Sequence, residues 1–160
     1  MASAALAVLA VTVLLLSLFI KVPYLVLTNA RDSTVIFSTR ISEGEEFRIS
    51  YIHSVNISPV TEFFLVRDGM IVLEAIEFYT FGAGMPTMPE DGQTLIYLPG
   101  GGMRIEGFDR VLDNLTILTS YATGHVLYVG TQEIAMFTPN FAGKPISFEI
   151  IRQNVWQNFN

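Results

Sequence analysis

After Tyr24 the chain never settles into a helical rhythm. Val, Ile, Phe, Tyr and Thr come in short runs, each cut off by Gly, Asn, Asp or Pro, and no stretch repeats its apolar residues at the helical period. A chain punctuated in this way builds strands joined by tight turns. The runs place strands at Tyr24–Thr28, Thr34–Thr39, Glu46–His53, Thr61–Val66, Met70–Phe78, Gln93–Leu98, Asn114–Thr119, His125–Val129, Glu133–Phe137 and Ser147–Arg152. A short helical turn is expected around Phe108–Asp113, with Asp109 as its cap. This spacing predicts an all-β fold, an antiparallel β-sandwich or partly open β-barrel.

One turn fixes a register. Asp68-Gly69 is a two-residue hairpin signal, because a type I′ turn needs positive φ at both central positions, which Asp tolerates and Gly adopts freely. Val66 then faces Ile71, Phe64 faces Leu73 and Glu62 faces Ala75 on the more apolar side, with Val60 opposite Glu77. On the other side Leu65 faces Val72 and Phe63 faces Glu74. Further hairpins are expected at Gly130-Thr131-Gln132 and across Asn29–Ser33.

Met1–Ile20, "MASAALAVLAVTVLLLSLFI", carries no ionisable side chain. As a helix a segment of about 20 residues spans roughly 30 Å, the hydrocarbon thickness of a bilayer. A cleaved signal would show basic residues before the apolar stretch and a small-residue cleavage site after it, whereas "SLFIKVPY" follows here. The expected organisation is therefore a transmembrane anchor over 1–21, with residues 1–20 in the lipid bilayer, and a β domain over 22–160. Lys21, Arg31 and Arg40 follow the span and would by charge alone hold the domain in the cytoplasm, a weak rule for a long folded domain.

With 51% hydrophobic and 15% charged residues the body can bury one core. The net charge of -6, without a run of Lys or Arg, argues against a nucleic-acid partner. The absence of Cys excludes thiol catalysis, disulfides, thiolate metal sites and lipidation through Cys. No cofactor is called for.

The stretch "YIHSVNISPVTEFF" carries the best local clue. Strand alternation puts Phe47, Ile49, Tyr51 and His53 on one face, and His53 and Glu62 then stand at the two mouths of one loop, each ending an apolar row. The pair can pin the loop through an imidazole–carboxylate hydrogen bond, or the loop can meet a ligand or partner, or the two groups can serve catalysis or a metal. Ser54 follows His53 directly, and neighbours on a strand point to opposite faces, so His53 is badly placed as its base. His53, Glu62 and His125 have the ligand types of a two-histidine, one-carboxylate zinc centre, without the spacing that would support one. "FGAGMP" and "LPGGGM" lack the ending of a phosphate loop and read as bends, or as a rim over a pocket.

"YIHSVNISPVTEFFLV", "FYTFGAGMP" and "GHVLYVGTQEIAMF" together resemble the bacterial and archaeal family called domain of unknown function 1850. The resemblance covers most of Glu46 to Ile151 and is sharpest at His53-Ser54, Pro59-Val60-x-Glu62 and Gly82-Ala83-Gly84-x-Pro86. It implies a small membrane-anchored protein associated with tripartite ATP-independent periplasmic (TRAP) transporters of the TAXI type. The implied location is the cell membrane, crossed once, with the C-terminal domain extracytoplasmic.

The expected function is thus a non-enzymatic accessory protein that binds a transporter permease or solute-binding receptor. The expected contact residues are His53, Ser54, Pro59, Glu62, Gly82, Gly84 and Pro86. The alternatives are an extracytoplasmic hydrolase or metal-dependent enzyme using His53 and Glu62, and a small-ligand-binding module.

Overall fold

The computed structural model describes residues 20–82 and 84–154, together with Leu6, Thr12 and Ser17. The anchor expected over 1–21 falls mostly outside the described residues, and among those described no helix is long and apolar enough to cross a membrane. The body is all-β, in two antiparallel sheets.

The strands in chain order are β1 (Lys21–Asn29), β2 (Val35–Arg40), β3 (Glu46–Ile52), β4 (Pro59–Arg67), β5 (Met70–Phe78), β6 (Thr94–Tyr97), β7 (Met103–Leu112), β8 (Leu115–Leu118), β9 (Val126–Val129), β10 (Gln132–Ala135) and β11 (Pro145–Asn154). One sheet has the order β2-β1-β11-β8, the other β10-β9-β3-β4-β5-β7-β6. The arrangement is sandwich-like. Alternating residues of the larger sheet, among them Phe47, Ile49, Phe64, Leu73 and Leu127, bury against Leu25, Leu27, Ile146 and Phe148 of the smaller one. Phe47 stacks on its cross-strand neighbour Phe64 at 5.1 Å and reaches across the interior to Phe148 at 6.5 Å.

The Asp68-Gly69 turn has the expected backbone, with φ of 54° and 71°. Val66–Ile71, Leu65–Val72 and Phe64–Leu73 pair as its register requires. Beyond Leu73 the expected register fails, because the ladder is irregular at Glu74: Phe63 faces Ala75, Glu62 faces Ile76, Thr61 faces Glu77 and Val60 faces Phe78. The physical reason lies in the sequence of β5. Strict alternation after Leu73 would turn Glu77 inward and Ile76 and Phe78 outward. One extra residue reverses that, so Ile76 and Phe78 join the core. Glu77 comes out on the other face, where it pairs with Arg104 at 2.9 Å.

The helical turn expected at Phe108–Asp113 is not formed; these residues belong largely to β7. Its alternation is hidden because Asp109 sits at φ 46° and the pairing with β5 slips between Leu73 and Ala75. A further correction concerns the turn after β9. Gln132 pairs with Val129, so that turn has two residues, Gly130 and Thr131.

Candidate functional site

β3 ends at Ile52, and the chain turns on His53. The His53 N–H donates to Ser58 O at 2.9 Å, and the Ile57 N–H donates back to His53 O at 2.9 Å. The imidazole Nδ1 accepts from the N–H groups of Val55 and Asn56 at 3.3 Å and 3.2 Å. A neutral imidazole used this way carries its proton on Nε2. His53 therefore pins the loop, as the sequence suggested, but through loop amides. Glu62 stands opposite Ile49, roughly 13 Å along β3 from His53 at about 3.3 Å per residue.

The two segments singled out in the sequence touch each other. Gly82 lies under the carboxamide of Asn56, so closely that a Cβ placed there would be 2.5 Å from Asn56 Cγ. Gly84 supplies φ 83° in a turn closed by the Met85 N–H on Gly82 O at 2.9 Å. Pro86 follows that turn half-buried, Ser54 is exposed in the His53 turn, and Pro59 opens β4 opposite Ile52. Next to this contact, Asn56 Nδ2 and Ser58 Oγ are enclosed without a hydrogen-bond partner among the described residues.

Ile57 has φ 48°. That is the left-handed region, where a β-branched side chain costs on the order of 1–2 kcal/mol. Its side chain is nevertheless 73% exposed, and that of Val55 is 68% exposed. Burial therefore offers no compensation for the conformation.

Glu62 and His125 meet a different neighbour, Tyr51. The Tyr51 hydroxyl donates to Glu62 Oε1 at 3.5 Å, and its ring stacks on the buried His125 at 5.0 Å. His125 Nδ1 is 2.9 Å from Thr123 Oγ1, which is 2.8 Å from Ser120 Oγ. Burial pushes the Glu62 carboxyl up, against the opposing pull of Tyr51 and Arg110. It likewise raises the Tyr51 phenol, with help from Glu62, and lowers His125. Among the described residues no group of three His, Cys, Asp or Glu side chains is placed to hold a metal. His53, Glu62 and His125 do not converge as a ligand set.

In the larger sheet β3, β5, β6 and β10 end, and β4, β7 and β9 begin, at one end of the sandwich. The connections there are 53–58, 79–93, 98–102, 119–125 and 136–144, and at the same end of the smaller sheet 30–34 joins β1 to β2; 53–58, 98–102 and 119–125 contain no Asp, Glu, Lys or Arg, while the others carry Glu90, Asp91, Lys144, Arg31 and Asp32. They expose Val55, Ile57, Tyr79, Phe81 and Tyr121. The connections are joined to each other: Ile52 N–H donates to Thr123 O at 2.8 Å, Asn56 covers Gly82, and Tyr79 packs on Gly102. The opposite end is ionic. Arg67 pairs with Asp109 and Glu74, Arg152 pairs with Glu43 at 3.6 Å, and Glu43 also accepts from the N–H groups of Asp68 and Gly69. A concavity of about 630 Å³ at that end is lined by Val22, Arg40, Glu43 and Arg152 among others.

Sequence reasoning named His53 and the glycine bend. It missed Tyr51 as the link between Glu62 and His125, Asn56 as the cover of Gly82, and Ile57 as an exposed, strained residue. Tyr79 and Phe81 are far from Tyr121 in the sequence and become one surface with it only once the strands bring their loops together.

Fold and site together define a small two-sheet antiparallel β domain, with ion pairs linking its turns at one end and loops that expose aromatic and aliphatic side chains at the other. The chain belongs to the family described as domain of unknown function (DUF1850), whose model matches residues 47–136. That range runs from β3 through β10 and leaves β1, β2 and β11 outside it. Comparison with curated proteins and with solved structures returns no match.

Proposed function

We propose that this chain is a membrane-anchored accessory protein of a TRAP transporter of the TAXI type. Its β domain binds the solute receptor or the permease on the extracytoplasmic side through the end of the sandwich that bears the His53 loop. The observation that carries this reading is a surface at one end of the sandwich, where the 53–58, 98–102 and 119–125 loops, free of Asp, Glu, Lys and Arg, meet Tyr79 and Phe81 and expose aromatic and aliphatic side chains. Contiguous apolar surface of this kind marks a contact site. The family resemblance and the apolar N-terminal segment supply the membrane and the transporter.

Binding is favoured over chemistry by how the polar groups are used. The Nδ1 of His53 is taken up by two loop amides, and the Glu62 carboxyl bonds Tyr51 from a row of apolar side chains. The test is co-purification of the full-length protein from membranes that hold the transporter, in mild detergent, under conditions that preserve the permease's own subunit contacts. Recovery of receptor or permease in stoichiometric amount is expected; recovery of neither refutes the reading.

A further inference from the structure

We propose that the β3–β4 loop is a preorganised anchor, with Val55 and Ile57 inserting into an uncharged apolar cleft on a soluble extracytoplasmic protein and His53 acting as the positioning residue. This rests on the accessory role proposed above and says where and what it binds.

Three observations carry it. The loop is already ordered: His53 Nδ1 holds two amides, His53 O and N–H close the turn with Ile57 and Ser58, and Asn56 is seated on Gly82. A partner meeting such a loop loses little ordering entropy on contact, which raises affinity. Next, Ile57 sits at φ 48°, a conformation suited to Gly or Asn, and points an aliphatic side chain into solvent. Exposed strain that does nothing for the core is expected where a side chain must be presented to something else. Finally, the neighbours that would surround the contact, Ile52, Phe81 and Tyr121, are exposed, and 53–58, 79–89 and 119–125 contain no Asp, Glu, Lys or Arg. A polar or ionic partner surface would leave its own groups unpaired there.

The chemistry selects the occupant. An anionic lipid surface is gripped by Lys and Arg beside the apolar residues, and these loops contain none. Strand addition is closed off as well, since β3 and β4 are interior strands paired on both edges. Position points the same way. β1 begins at Lys21 beside the Glu43–Arg152 pair, at the ionic end, so a membrane anchor preceding Lys21 would hold the Val55–Ile57 tip on the side away from the bilayer. Of the two partners, a soluble solute receptor can reach it there.

The experiment uses the full-length protein in lipid nanodiscs, with the purified solute receptor and the purified permease as separate probes, and reads both affinity and melting temperature. Ile57→Asn removes the apolar side chain and relieves the backbone, so the melting temperature should stay level or rise by a few degrees while receptor affinity falls about tenfold or more. Val55→Asp should weaken receptor binding at least as much with the melting temperature unchanged within about 2 °C. If the wild type binds the receptor and both variants bind it within about twofold, the anchor is refuted while the accessory role stands. Binding to the permease alone, to anionic vesicles, or to a second copy in a Val55-dependent dimer overturns the soluble occupant. A wild type that binds neither probe sinks the accessory role and this inference with it.

Discussion

Substituting Gly82 by Ala tests whether the two signature segments support each other. The backbone at Gly82 lies outside the left-handed region, so an Ala there is conformationally allowed and on its own would stabilise by about 0.4–1 kcal/mol through the unfolded chain. The added Cβ, however, meets three atoms of the Asn56 carboxamide, with Cγ at 2.5 Å. A carbon contact needs about 3.5 Å, so the whole carboxamide must swing out, and overpacking of this kind costs about 1–3 kcal/mol. Gly82→Ala should therefore destabilise the wild type by about 1 kcal/mol, yet stabilise an Asn56→Ala background by about 0.5 kcal/mol. The coupling, on the order of 1–2 kcal/mol, is read from urea unfolding of the full-length protein in detergent as a double-mutant cycle. The Val55 and Ile57 amides should exchange faster in Gly82→Ala alone. Additivity within about 0.5 kcal/mol would show that the packing of Asn56 on Gly82 does not exist in solution.

Two further outcomes follow from the same geometry. His53→Ala deletes the acceptor of the Val55 and Asn56 amides and should cost about 1 kcal/mol with faster exchange at both, whereas His53→Asn, whose Oδ1 bonds amides two and three residues on, should recover most of the loss. Equal losses in the two variants would mean that the imidazole acts by packing. Glu62→Gln tests the buried carboxyl through its pH dependence. Because burial raises the folded-state pKa above the ordinary 4.5, the native state holds the Glu62 proton longer than the unfolded chain. That contribution to stability is fully present below the unfolded value and is lost as pH rises through the folded one. The advantage of Gln over the wild type should accordingly grow between pH 4 and pH 7.5 in urea titrations; an advantage equal at both pH values would place the carboxylate in contact with water.

How far the sequence goes is clearest at Asp68-Gly69. Two residues that accept positive φ fix a turn, and the turn fixes the pairing of Val66 with Ile71, Leu65 with Val72 and Phe64 with Leu73. These are local matters of backbone sterics and alternation. The register past Leu73 is different, because whether Glu74 is an extra residue depends on which of Glu77 and Phe78 the opposing sheet can bury. The sequence of β5 offers the apolar pair Ile76 and Phe78 for burial, but only an opposing sheet makes that burial count. The same holds for β7, whose strand character is supplied by its pairing with β5 and β6 and is masked by Gly107 and Asp109.

The candidate site divides in the same way. His53 as the residue that shapes its loop was legible, since a polar ring ending an apolar row must find partners near at hand. Its supposed partner Glu62 was misplaced, because a loop's two mouths in sequence are not its two walls in space; the β3–β4 ladder sets Glu62 against Ile49. By itself the sequence determined the all-β class and the Asp68-Gly69 hairpin turn, both properties of short stretches. Tertiary structure alone decided that the loops bearing His53, Phe81 and Tyr121 share one end of the sandwich, that Asn56 rests on Gly82, and that Ile57 is held exposed in a left-handed conformation. Each of these depends on which strands become neighbours, and that choice is made by burying the two sheets against each other.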